Sequence, residues 1–184
     1  MTRRIRKIAI AGVMGAVSIF LGTTGLGFIP WFAGASLTIM HVPVIIGAVL
    51  EGPLVGAVIG LIFGGFSFMR AAIAPQGPAD VWFTNPLISI VPRLFIGPIA
   101  WLVYRAIRTF REAPAFVIAG IAGSLTNTAL VLGALGFYRY LPWKLAGAIA
   151  LANGLPEAAL AAVLTFAVAA SYKRIRTRRT GSTI

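Results

Sequence analysis

Apolar residues run through this chain in blocks too long for a water-soluble fold. No fixed charge falls between Lys7 and Glu51, none from Ala113 to Tyr138, and one, Glu157, from Leu145 to Tyr172. Roughly 20 apolar residues cross a bilayer core of about 30 Å, and each of these runs is longer. The pattern predicts an all-α, polytopic membrane protein with six transmembrane helices. The first is expected from Ile5 to Leu21. A Gly/Pro-rich, uncharged segment, Thr23 to Ser36, follows and is apolar enough to fold back into the protein. The second helix is short, Leu37 to Leu50, with Pro43 near its first turn. Glu51-Gly52-Pro53 makes a tight turn into the third, Leu54 to Met69.

A loop from Arg70 to Thr84 comes next, rich in Pro, Gly and Ala. Asn85-Pro86 has the signature of an N-cap followed by proline at the first helical position. The fourth helix is then expected to reach Ile107, with a fifth from Pro114 to Gly136 and a sixth from Ala146 to Tyr172. The whole chain, 1–184, reads as one membrane domain. The basic N-terminus followed by an apolar run also has the outline of a secretory signal, but the polytopic region after it favours a first spanning helix. Inverted halves are not evident, since the first three and last three helices differ in length and polar content.

Charge settles the orientation expected. The net charge is +12, which by itself could suggest nucleic acid. Twelve of the sixteen basic residues, however, sit in three clusters that flank apolar runs: Arg3, Arg4, Arg6, Lys7; Arg105, Arg108, Arg111; and Lys173, Arg174, Arg176, Arg178, Arg179. With six spans, all three clusters and both termini fall on one side, the cytoplasmic side by the positive-inside rule. The two longer loops and the connection near Arg139 and Lys144 then lie outside.

Several chemistries are excluded. There is no cysteine, so no disulfide or thiolate site. No GxxxxGK[ST] phosphate loop and no HExxH motif occurs. The lone histidine, His41, cannot form a multi-histidine metal site, and no serine sits in a GxSxG context. No cofactor and no metal is expected, and the chain does not read as an enzyme.

What stands out is a small set of polar residues at membrane depth. His41, Arg93, Asn127, Asn153 and Glu157 lie on four helices, between the outer surface and the midplane at about 1.5 Å per residue. Polar groups at that depth face a protein interior or cavity. Asn153 and Glu157, four apart, share a helix face. Pro92 leaves the carbonyl of Ile88 without its helical donor, and Pro156 does the same to Ala152; such carbonyls need partners. The candidate substrate-binding set is His41, Asn85, Arg93, Asn127, Asn153, Glu157 and Trp82. The blander readings are an Arg93–Glu157 structural pair, Asn127 as interhelical glue, a capping His41, Glu51 as turn chemistry, and Trp31, Trp82, Phe83 and Trp143 as interfacial belt residues. On the first helix, Ala11 and Gly15, or Gly12 and Ala16, form small-residue pairs four apart that allow close helix approach. That helix has no ionisable or amide residue after Lys7 and makes a poor pocket wall, so the pairs are candidate subunit contacts.

These residues carry a resemblance. Leu37-Thr38-Ile39-Met40-His41-Val42-Pro43-Val44-Ile45-Ile46-Gly47-Ala48, Gly52-Pro53-Leu54-Val55-Gly56-Ala57, Val91-Pro92-Arg93, Gly123-Ser124-Leu125-Thr126-Asn127-Thr128 and Asn153-Gly154-Leu155-Pro156-Glu157 are similar to stretches of the substrate-binding S components of energy-coupling factor (ECF) vitamin transporters, nearest the pantothenate type. The resemblance implies a six-helix domain with a vitamin pocket opening outward under the 1–2 and 3–4 loops. It implies partners too: a transmembrane T component, met through small residues of the first helix, and two cytoplasmic ATPases. Arg93 would hold a carboxylate through a two-pronged contact, with Asn127 and Asn153 serving an amide. The alternatives are an S component for riboflavin or another vitamin and, from different classes, a stand-alone small permease or channel or a membrane-embedded enzyme. A flavin is expected to need an aromatic slot that the fourth to sixth helices do not offer.

Overall fold

A computed structural model describes residues 2–30, 36–75 and 77–180. Its elements in chain order are α1 (Arg3–Thr24), β1 (Phe28–Pro30), β2 (Ser36–Thr38), α2 (Val42–Glu51), α3 (Pro53–Ile73), a 3-10 segment (Pro78–Thr84), α4 (Pro86–Ser89), α5 (Val91–Ile107), α6 (Glu112–Phe137), α7 (Trp143–Ile149), a π turn (Ala150–Gly154) and α8 (Leu155–Thr180). Five stretches are long and apolar enough to cross a membrane: Arg3–Thr24, Pro53–Ile73, Pro86–Ile107, Glu112–Phe137 and Trp143–Arg174. The sixth helix of the bundle, α2, has ten residues, nine of them buried. At about 1.5 Å per residue it covers only half a bilayer core, so it is a core helix wrapped by the other five.

Prolines and glycines set the boundaries. Gly52 turns the chain between α2 and α3 at φ 108°, a conformation that favours glycine, and Pro53 opens α3. Asn85 caps α4 as expected, its side chain accepting from the Leu87 N–H at 3.0 Å. Three expectations are corrected. The second helix does not begin at Leu37. Leu37 lies on β2, paired with Ile29 of β1 in an antiparallel hairpin, and Pro43 sits in the first turn of a helix that starts at Val42. The fourth helix is broken at Ile90 into α4 and α5, just before Pro92. The sixth begins early, at Trp143, and widens to a π turn over Ala150–Gly154, immediately before Pro156. Residues 31–35 between β1 and β2, Trp31 among them, lie outside the described residues.

α3 and α5 approach closely through glycine. Gly56, Gly60 and Gly64 are spaced four apart along α3. A Cβ on Gly60 would collide with the Arg93 carbonyl, and Gly56 and Gly97 meet backbone to backbone. This is small-xxx-small packing, in which van der Waals contact replaces a hydrophobic drive that lipid does not supply. It brings the first turn of α5 against the middle of α3. The main core cluster joins α2, α3, α5, α6 and α8 through residues such as Ile45, Ile59, Phe63, Ile96 and Phe116.

Two ionic contacts close the basic end of the bundle. Arg6 of α1 grips Glu51 at the end of α2, Nε to Oε1 at 2.8 Å, with the Glu51 side chain 1% exposed. Lys173 of α8 and the Tyr104 hydroxyl of α5 both donate to the Glu112 carboxylate at the start of α6. Glu51 is therefore more than turn chemistry: it fastens α1 to α2. Lipid-facing positions such as Ile8, Val13, Leu61, Leu102, Leu151 and Val163 remain exposed around the bundle.

Candidate functional site

At the opposite end, under the hairpin and the 3-10 segment, lies a cavity of about 150 Å³. α3 builds one wall with Phe63, Phe66, Ser67, Arg70 and Ala71. These positions follow the i, i+3, i+4, i+7 spacing of a single helix face. Phe28 and Thr38 of the hairpin, with Met40, form the roof, Asp80 and Phe83 come from the 3-10 segment, and Arg93 and Asn127 complete the lining from α5 and α6.

Arg93 is 6% exposed. Its Nη1 donates to the carbonyl of Ile88 at 2.7 Å, the acceptor that Pro92 deprives of a helical donor. The guanidinium carbon lies 5.3 Å from the ring centres of both Phe63 and Phe83. One prong is thus anchored to the backbone and the plane is flanked by aromatic faces. Its Nε has no hydrogen-bond partner among the described residues, and neither does the Oδ1 of Asn127, which is 8% exposed. A buried cation and a buried amide, each with unspent capacity, face one cavity.

Glu157 is buried and does not pair with Arg93. Its Oε1 accepts the backbone N–H of Thr38 at 2.7 Å. The carboxylate therefore ties β2 of the hairpin to α8. Asn153 is half-buried in the π turn and is not part of the cavity lining. The π turn interrupts the simple four-residue alignment with Glu157 that the sequence suggested.

His41 is fully buried. It is the N-cap residue of α2 rather than a residue one turn inside a helix. Its carbonyl accepts from Val44 and Ile45, and neither ring nitrogen has a hydrogen-bond partner among the described residues. Trp82 stacks on Tyr140 with ring centres 6.0 Å apart, and Asn85 is occupied in capping; neither lines the cavity. The structure thus brings Arg93 and Asn127 together and keeps His41, Asn85, Asn153, Glu157 and Trp82 off the cavity surface.

The candidate set left out the α3 wall, Thr38, Asp80 and Phe83, the last read from the sequence as a belt residue. Four phenylalanines, Phe28, Phe63, Phe66 and Phe83, line the space. The aromatic surface comes from α3, the hairpin and the 3-10 segment, which the argument from the fourth to sixth helices left out. The signal was present in the 63-66-67-70-71 spacing.

On α1 the two small-residue pairs separate. Gly15 is buried against Ile62 of α3, and Ala11 packs on the core cluster. Gly12 has open space around it and Ala16 is exposed.

Residues 6–169 match the family model described as ECF transporter, substrate-specific component. The chain belongs to this family. This S component is also 33% identical, over 158 residues, to the protein named pantothenic acid transporter PanT from Lactococcus lactis subsp. cremoris (strain MG1363), an alignment covering 76% of this chain and 79% of that one. The family and the five long apolar helices make it a multi-pass protein of the prokaryotic plasma membrane. The family is one of transporter components, not an enzyme class.

Proposed function

We propose that this S component binds pantothenate as the substrate-capturing subunit of an ECF-type importer, energised by a T component and two cytoplasmic ATPases. The observation that carries the ligand reading is Arg93. It is buried in the cavity wall, fixed on one side by Ile88 and backed by two phenylalanine rings, with Asn127 lining the same space. A carboxylate is the natural partner of such a guanidinium, and the relative named for pantothenic acid supports the choice of acid. The amide of the vitamin falls to Asn127. Glu157 holds the hairpin roof in place from α8, and Trp82 and Asn85 hold the 3-10 segment. Gly12 and Ala16, on the open face of α1, are the contact for the T component. The basic end of the bundle faces the cytoplasm. A cysteine placed at Arg108 is then labelled only from inside, and labelling from outside reverses the orientation.

A second reading, riboflavin or another vitamin, draws on the four phenylalanines around the cavity. Equilibrium competition on the purified chain separates the two. Pantothenate is expected to bind and to resist displacement by excess riboflavin. Binding of riboflavin, with no binding of pantothenate, transfers the site to the flavin.

A further inference from the structure

Among the described residues, none of those lining the cavity belongs to α1, yet α1 lies directly behind it. Gly15, Ser18 and Gly22 are its buried residues, and their spacing of three and four puts them on one face. Gly15 and Gly22 meet Ile62 and Phe66 of α3. The Ser18 hydroxyl donates to the Met40 carbonyl at 3.2 Å. Met40 and Phe66 both line the cavity. A Cβ on Gly22 would collide with Met40 Cε and with Phe66 Cε1. Two cavity-lining side chains thus lie back into the space that any other residue at position 22 would fill.

Bulk added at position 22 would be passed to those two side chains. The backbone at Met40 is held: its carbonyl accepts from Ser18, and the N–H of Ile39 donates to the Gly27 carbonyl at 3.0 Å. Gly27 closes another side, since a Cβ there would stand 2.8 Å from Met40 Cγ. The thioether end of a methionine is flexible, and an aromatic ring turns about a broad χ2. The open space next to both is the cavity, of about 150 Å³. Close-packed interiors feel a single added methylene, so the bulk emerges as width lost from the cavity.

We infer that Gly22 is a specificity-determining residue: from one layer behind the wall it lets Met40 and Phe66 lie back against α1, and so sets how bulky an apolar ligand segment the cavity admits. This rests on the reading that pantothenate is the ligand, whose widest apolar part is the carbon bearing two methyl groups. Alanine is favoured over glycine inside a helix, so a loss of binding in Gly22→Ala does not come from weakening α1 itself.

The test is calorimetric titration of the full chain with three probes: pantothenate, the slimmer analogue with both methyls replaced by hydrogen, and the bulkier one with both methyls lengthened to ethyl. Gly22→Ala should weaken pantothenate about tenfold or more relative to the slimmer acid, the scale of one methylene in an apolar pocket. Adding Met40→Ala removes a side chain that was pushed inward, and should return that ratio to within about threefold of the wild type. Met40→Ala alone should strengthen the bulkier acid about tenfold or more relative to pantothenate; it carries the test if Gly22→Ala does not give a folded chain. Equal weakening of pantothenate and the slimmer acid by Gly22→Ala makes position 22 a packing site only and overturns the inference, as do unchanged preferences in Met40→Ala. Both results leave the pantothenate reading standing. A wild type that binds none of the three acids overturns that reading and the inference with it.

Discussion

Arg93 donates from Nη1 to the carbonyl of Ile88, 2.7 Å away and five residues earlier in the chain. Pro92 has no N–H to give that carbonyl, so the side chain beside it takes over. A vacant acceptor inside a membrane is costly, and here its satisfaction also fixes the rotamer of the buried cation. The break between α4 and α5 and the orientation of the cavity guanidinium are thus one arrangement. Removing the cation has two effects, loss of a ligand contact and release of the Ile88 carbonyl.

The approach of α3 to α5 depends on glycine. Gly60→Leu places a side chain where the Arg93 backbone lies, so the helices must separate and Arg93 must shift. Overpacking of this kind costs about 1–3 kcal/mol or more. The variant should melt well below the wild type in detergent and lose ligand binding. Gly65→Leu, next but four along and with open space around it, should do neither.

Glu157 and Thr38 are 119 residues apart, and the Thr38 N–H donates to the Glu157 carboxylate at 2.7 Å. Glu157→Ala leaves the Thr38 N–H without that acceptor, at a cost of about 1–3 kcal/mol. Hydrogen exchange should speed up in the peptide carrying Thr38 and the hairpin, with protection in α5 and α6 retained. Unchanged exchange at Thr38 contradicts a role for Glu157 in holding the roof.

Much of the local architecture was legible, because caps and prolines act within four residues. Asn85-Pro86, Gly52-Pro53 and the orphan carbonyl of Ile88 all followed from neighbours in the chain. The cavity wall was not, because it depends on how helices rotate against each other. Arg70 reads as the start of a loop until the 63-66-67-70-71 face is set against α5. The same holds for Arg6–Glu51 and Thr38–Glu157, whose partners are remote in sequence. The start of α2 was misplaced for a different reason: Leu37-Thr38-Ile39 is apolar and β-branched enough for helix or strand, and only pairing with Phe28–Pro30 decides between them.

The small residues of α1 divide by face. Ala16→Trp points into open surface and should leave melting temperature and ligand affinity of the isolated chain unchanged, yet abolish uptake when the partner subunits are present. Gly15→Leu meets Ile62 and should destabilise the isolated chain itself. Reduced ligand binding in a well-folded Ala16→Trp places α1 in the binding site and removes it as the subunit contact.

The central claim is that Arg93 holds the carboxylate of the ligand in the capped cavity. Titration of pantothenate into the purified wild type, Arg93→Lys and the double variant Arg93→Gln, Glu157→Gln tests it most directly. The wild type should bind saturably. Arg93→Lys should bind poorly, since a point charge lacks the planar fork that both Ile88 and the ligand require. The double variant should lose about 2–5 kcal/mol, the range for truncating a desolvated charge partner. Near-normal binding by the double variant contradicts the claim, because it would show that the ligand does not need the Arg93 guanidinium.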